Sequence, residues 1–126
     1  MLEPAQTVEL LQQHGIEPIH IAAGEAIFKQ GDPGDVMYGI LEGEVQFSID
    51  GVDAETINKG DVFGEGAIVT AAHQRRSTAT AKTDCKLVTL DRERFTFAIQ
   101  QSPVFGLEVL RSYSNRVNSL RHLLRK

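Results

Sequence analysis

The chain has 126 residues, 41% hydrophobic and 24% charged, with a formal net charge of −4, so it has the length and composition of one globular domain and no excess of positive charge to attract nucleic acid or an anionic membrane. Its single cysteine, Cys85, excludes an internal disulfide and a zinc site built from several cysteines. No apolar run is long enough to cross a bilayer, and the first fifteen residues carry Glu3 and Glu9 with no basic stretch of the kind that opens a signal peptide, so a cytoplasmic protein without membrane contact is expected.

The first expected element is a short amphipathic helix over residues 5–14. Thr7 caps it, Val8, Leu10 and Leu11 supply an apolar face, and Gly15 ends it. From Ile16 to Asp91 the chain then reads as many short strands, punctuated by Gly24, Gly31, Gly34, Gly43, Gly51 and Gly60. Turn signals spaced roughly ten residues apart are those of a sandwich or barrel. Strands are expected at Ile19 to Ala22, Ala26 to Lys29, Val36 to Leu41 and Glu44 to Ile49. In the last of these Val45, Phe47 and Ile49 alternate with Gln46 and Ser48, the period of a half-buried strand. Asp50-Gly51 joins that strand to Val52 to Ile57 as a two-residue hairpin with positive φ angles. Asn58-Lys59-Gly60 turns the chain into Val62-Phe63, and the final strands are Ser77 to Ala81 and Leu87 to Leu90. One helical turn, Gly66 to Thr70, interrupts the series. Beyond Asp91, a possible N-cap in type, a helix is expected over Arg92 to Gln101. Pro103 opens the last helix, where a missing N–H costs little. Leu110, Tyr113, Val117, Leu120 and Leu124 follow at heptad spacing.

Residues 63–81 carry most of the functional information. Gly64 and Gly66 allow close backbone approach to a ligand and present free N–H groups. Ala67 to Val69 can start a short helix whose N-terminus favours an anion. Glu65, when ionised, only accepts hydrogen bonds and suits a sugar hydroxyl. Arg75 or Arg76 can grip phosphate oxygens with a planar fork. Side chains alternate across a strand, so only one of the two arginines is expected to point inward.

The ordered set Gly24-Glu25-Ala26-Ile27-Phe28-Lys29-Gln30-Gly31-Asp32-Pro33-Gly34-Asp35, Gly39-Ile40-Leu41-Glu42-Gly43 and Gly60-Asp61-Val62-Phe63-Gly64-Glu65, followed by an arginine and two helices, resembles a cyclic nucleotide-binding domain. The type is that of the catabolite activator protein family and of the regulatory subunits of cyclic-AMP-dependent protein kinase. The resemblance covers almost the whole chain. It implies a mainly β fold with flanking helices: an antiparallel jelly-roll barrel over about residues 16–91, an N-terminal helix, and two C-terminal helices over about 92–125, all in a single domain 1–126. It also implies that residues 63–81 are a phosphate-binding cassette. Within it Gly64 offers an N–H near the ribose, Glu65 binds the 2′-OH and Arg75 pairs with the cyclic phosphate, with Arg76 the runner-up. Phe63, Gly66, Ala67, Ser77 and Thr78 complete the ligand-binding set.

The chain departs from the family pattern at Gly66, where a larger apolar residue is frequent, at Gln74, where proline is frequent, and at Arg76, where a small residue or threonine is usual. A threonine there favours guanine in some relatives, so its absence favours cyclic AMP over cyclic GMP. In catabolite activator relatives a polar residue on the last helix reaches the adenine amino group. That position falls on Leu120, leaving Ser114, Asn118 and Arg121 as the candidate base contacts.

The resemblance gives the last helix two roles, a lid over the base or, through residues 107–124, a homodimer seam. Arg111, Arg116, Arg121, Arg125 and Lys126 are read as its solvated basic side. The sequence to Lys126 contains no helix-turn-helix, so a complete chain is expected to be a stand-alone sensor acting on an unknown effector protein in trans, and a fragment to belong with a channel, a kinase partner or an enzyme. It is expected to be no enzyme, to need no metal or cofactor beyond its ligand, and to make no direct contact with DNA. Two alternatives remain open: a nucleotide-free jelly-roll scaffold for protein contacts, and a cupin-type metal enzyme. The second needs clustered histidines, whereas His14, His20, His73 and His122 are scattered.

Overall fold

The computed structural model describes Pro4 and residues 17–71 and 73–124, with side chains to residue 121. The helix expected over residues 5–14 lies outside the described residues. Among the described residues eight strands follow one another: β1 (Ile19–Ile21), β2 (Ala26–Phe28), β3 (Val36–Glu42), β4 (Val45–Ile49), β5 (Val52–Ile57), β6 (Val62–Phe63), β7 (Thr78–Ala81) and β8 (Cys85–Asp91). Helix α1 (Gly66–Val69) sits between β6 and β7, and α2 (Arg92–Gln101) and α3 (Val104–Leu124) follow β8. Every strand expected from the sequence is present, with end shifts such as β8 beginning at Cys85 and β7 at Thr78.

The strands form two four-stranded antiparallel sheets, in the orders β1-β8-β3-β6 and β2-β7-β4-β5. Strands distant in sequence are neighbours, as a jelly roll requires. The β4–β5 hairpin turns at Asp50 (φ 52°) and Gly51 (φ 80°), the positive pair expected for a two-residue connection.

The first sheet is buried on both faces because its side chains alternate. Ile40, Phe63 and Leu87 point between the sheets, where they pack with Phe28, Val45, Ile57, Ala79, Ala81 and Cys85. Met37, Val62, Val88 and Leu90 point the other way and pack with Ile68 of α1, Ala98 of α2, and Phe105 and Val109 of α3. This period of two is the geometry of a strand. It places α3 against the back of the sheet that leads into α1. Asp91 caps α2, its Oδ1 accepting from Arg94 N at 2.8 Å.

Candidate functional site

A turn between β2 and β3 builds one wall of the site. Gly31 N donates to Arg75 O at 2.8 Å, Arg75 N donates to Asp32 O at 2.8 Å, and Gly34 N donates to His73 O at 2.9 Å. The glycine-rich turn is therefore zipped onto the segment that carries the two arginines. His73 is held at φ 50° and its Nδ1 lies 3.0 Å from Ala67 O, tying the same segment to α1.

Of the two arginines, Arg75 turns inward and is 6% exposed, while Arg76 is exposed. The Arg75 guanidinium donates from Nη1 to Gly64 O at 3.0 Å and from Nη2 to Val36 O at 2.7 Å. Its Cζ lies 4.2 Å from the centre of the Phe28 ring, a cation–π contact. Nε is buried without a hydrogen-bond partner among the described residues. Two glycines make room for this side chain. A Cβ on Gly34 would stand 2.3 Å from Nε, and one on Gly64, already at φ +80°, would stand 2.9 Å from Nη1. The carbonyl groups and the ring face offset only part of the cost of burying a cation.

Beside Arg75 opens a cavity of about 130 Å³. Gly64, Glu65, Gly66, Ala67, Arg75, Arg76 and Ser77 line it, as do Phe28, Phe47, Thr70 and Gln74, which lie outside the ligand-binding set expected from the sequence. Two residues of the expected set stand elsewhere. Phe63 is fully buried and stacks on Tyr38, with ring centres 5.2 Å apart. Thr78 Oγ1 accepts from Gln30 N at 2.9 Å. Ser114, Asn118 and Arg121 are exposed on α3 and line neither this cavity nor the one beneath α3.

The α3 residues that do reach the site are Tyr113 and Arg116. The Tyr113 phenol donates to Oε2 of Glu65. Burial, and then the neighbouring Glu65 charge, push its ionisation far above the ordinary phenol range. Arg116 does not belong to the solvated basic side. It donates from Nε to Glu55 Oε1 at 2.9 Å and from Nη1 to Val62 O at 2.6 Å, and its Cζ lies 4.4 Å over the Tyr113 ring. Its turn toward the barrel follows from helix geometry, since Tyr113 and Arg116 are three residues apart and share a face with buried Val109 and Ser112. The heptad position of Tyr113 gave no signal of its inward face, since Leu110 and Val117 of the same stripe are exposed. Nothing in the sequence pairs Arg116 with Glu55, 61 positions away.

Residues 18–102 match the family model described as "Cyclic nucleotide-binding domain". A cAMP-dependent protein kinase regulatory subunit of Emericella nidulans is 34% identical over 103 residues, covering 80% of this chain and 24% of the relative. A CRP-like cAMP-activated global transcriptional regulator of Mycobacterium tuberculosis is 28% identical over 121 residues, covering 92% of this chain and 53% of the relative. The chain thus spans about a quarter and about half of these two relatives' lengths. Among solved structures, the c-di-GMP responsive global regulator CLP of Xanthomonas campestris superposes with a TM-score of 0.80 at 20% identity, over 94% of this chain and 61% of that one.

Proposed function

Because the chain belongs to the cyclic nucleotide-binding domain family, we propose that it is a sensor of a cyclic purine mononucleotide, cyclic AMP by preference. Its occupancy is passed through α3 to a second copy of the chain or to an effector protein. The observation that carries this reading is Arg75, a buried guanidinium with an unbonded Nε and no carboxylate partner among the described residues. A cyclic phosphate in the adjoining cavity supplies the missing anion. Glu65, on the same cavity, accepts a hydrogen bond from the ribose 2′-OH.

Charge on the cavity supports a mononucleotide. Arg75 and Arg76 against Glu65 leave one net positive charge, which a cyclic mononucleotide matches and a doubly charged cyclic dinucleotide does not. The two curated relatives are described as cAMP-dependent and cAMP-activated, which favours the adenine nucleotide. The superposed regulator is c-di-GMP responsive, so the dinucleotide is the comparison ligand to include.

The relay runs through Glu65, whose carboxylate serves the ribose on one side and the Tyr113 phenol on the other. Ligand binding shifts α3 only in so far as the two arrangements differ in affinity for it. On the outer side of α3, Leu107, Leu110 and Val117 are exposed apolar residues on one face, which a second copy would cover.

The deciding experiment is calorimetric titration of the chain with cyclic AMP, cyclic GMP and cyclic di-GMP, with Arg75→Ala as the control. Tight binding of cyclic AMP that the substitution abolishes supports the proposal. Failure to bind any of the three overturns it and leaves the scaffold reading. A cupin-type site would need a cluster of metal ligands, and among the described residues no group of three or more His, Cys, Asp or Glu is placed to hold a metal ion.

A further inference from the structure

The segment that joins α1 to β7 holds a residue in an uncommon backbone state. Among the described residues, Asp50 and His73 are the non-glycine residues with positive φ. The hairpin between β4 and β5 demands that conformation of Asp50. His73, at φ 50°, stands in no such hairpin, and the left-handed region crowds the Cβ of an L residue. It is held there at two points. Its carbonyl accepts from Gly34 N at 2.9 Å, and its ring places Nδ1 3.0 Å from Ala67 O. A carbonyl oxygen can only accept, so the ring carries a proton on Nδ1.

The ring bond closes a small loop inside a larger one. The larger loop runs from Gly64 to Arg75 and is pinned where Arg75 Nη1 donates to Gly64 O at 3.0 Å. The smaller runs from Ala67 to His73, and its pin lies two residues before Arg75. Among the described residues these are the two hydrogen bonds that join α1 and its lead-in to the arginine segment. The bonds from the β2–β3 turn to Arg75 N and O fix where that side chain starts, but they do not reach α1.

Building on the nucleotide-sensor reading, we infer that His73 is a positioning residue for the phosphate: its ring clasps α1 to the arginine segment and keeps the Arg75 guanidinium aimed into the cavity before a ligand arrives. The guanidinium is held by two uncharged carbonyls, and its Nε has no hydrogen-bond partner among the described residues. A cation in such surroundings is drawn toward water, and closing the loop that carries it opposes that swing. His73 does not line the cavity, so it acts through Arg75 and not by touching the ligand. A site whose competent arrangement is only partly populated loses affinity by that fraction. Loss of the clasp therefore acts on the ligand-free chain and slows association. In the complex the phosphate itself holds the guanidinium, so dissociation changes little.

The test measures association and dissociation rates of cyclic AMP for the wild-type chain, His73→Gly and His73→Asn. Glycine accepts the left-handed backbone and removes only the ring. Asparagine also tolerates that backbone, and its Nδ2 donor stands as many bonds from Cα as Nδ1 of histidine does. His73→Gly is expected to slow association about fivefold, the effect of one neutral hydrogen bond, with dissociation within about twofold of wild type. His73→Asn should restore the wild-type rate. A second readout needs no ligand: the Nε–H magnetic resonance signal of Arg75, identified by its loss in Arg75→Lys, should exchange faster with water in His73→Gly and not in His73→Asn. A wild-type association rate in His73→Gly, a loss carried by dissociation, or failure of asparagine to restore either readout overturns the inference while the sensor reading stands. Failure of the wild type to bind cyclic AMP overturns both.

Discussion

The Tyr113 phenol donates its hydrogen bond to Glu65, so the last helix is tied directly to the carboxylate at the mouth of the cavity. The bond joins residues 48 positions apart and is partly buried beside Arg116, whose guanidinium lies 4.4 Å over the phenol ring. Tyr113→Phe removes the donor and keeps the ring. Since hydrogen bonds to charged groups contribute about 1.5–3 kcal/mol, the ligand-free variant should be less stable by an amount near the lower end of that range. Urea unfolding measures it, and an unchanged midpoint would show that the bond contributes nothing.

The same phenol makes stability depend on alkaline pH. Burial and the Glu65 charge raise its ionisation in the folded chain above the ordinary value of 10.0, so the folded state keeps the proton longer than the unfolded state. The stabilisation is complete below about pH 10 and is lost as pH climbs beyond it toward the folded value. The stability gap between wild type and Tyr113→Phe should therefore narrow between pH 9 and 11. Tyr38, raised by burial and by Asp35 against the opposing Arg75, titrates in both chains and cancels in the comparison. A constant gap across this interval would contradict the assignment.

The inward arginine should dominate phosphate binding. Arg75→Ala removes a buried guanidinium and is expected to weaken cyclic AMP by at least about 2 kcal/mol, given roughly 1.5–3 kcal/mol for each charge-assisted hydrogen bond. Arg76→Ala removes an exposed charge from the rim and should cost less than about 1 kcal/mol. Titration calorimetry on the two variants side by side settles the order, and equal losses would reject it.

Gly34 carries a prediction that no property of the residue itself announces. An added Cβ would meet Arg75 Nε, Cζ and Nη2 at 2.3, 2.6 and 2.8 Å. The guanidinium must then move, which breaks its bond to Val36 O. Gly34→Ala is expected to reduce cyclic AMP affinity tenfold or more, about 1.4 kcal/mol, through the displaced arginine alone. Isothermal titration checks it, and retention of wild-type affinity would mean that the guanidinium has room to spare.

The exposed face of α3 makes a statement about assembly. Leu107, Leu110 and Val117 are 57%, 66% and 44% exposed on one side of the helix. If a second copy covers them, Leu110→Glu should convert a concentration-dependent dimer to monomer in sedimentation equilibrium while thermal stability at low concentration stays the same. A wild-type chain that is monomeric at all concentrations would rule out this use of the face.

Much of this molecule was legible before any coordinates. The alternation of Val45, Phe47 and Ile49, the Asp50-Gly51 hairpin and the glycine punctuation are local signals, because backbone turns and strand periodicity depend on neighbouring residues alone. The segment with Gly64, Glu65 and Arg75 is local too, within eleven positions, but the inward turn of Arg75 is not, because both arginines precede β7 and strand alternation does not govern them. What tertiary structure alone decided are the pairings made across long separations: Tyr113 with Glu65, Arg116 with Glu55, and Arg75 seated against Gly34 and Phe28. The cavity walls at Phe28 and Phe47 and the outward position of Ser114, Asn118 and Arg121 belong with them. Local patterning sets which face of an element is apolar. Which polar residue on that face finds a partner depends on how helix and barrel are docked, and that follows from the packing of Met37, Val62, Leu90, Phe105 and Val109.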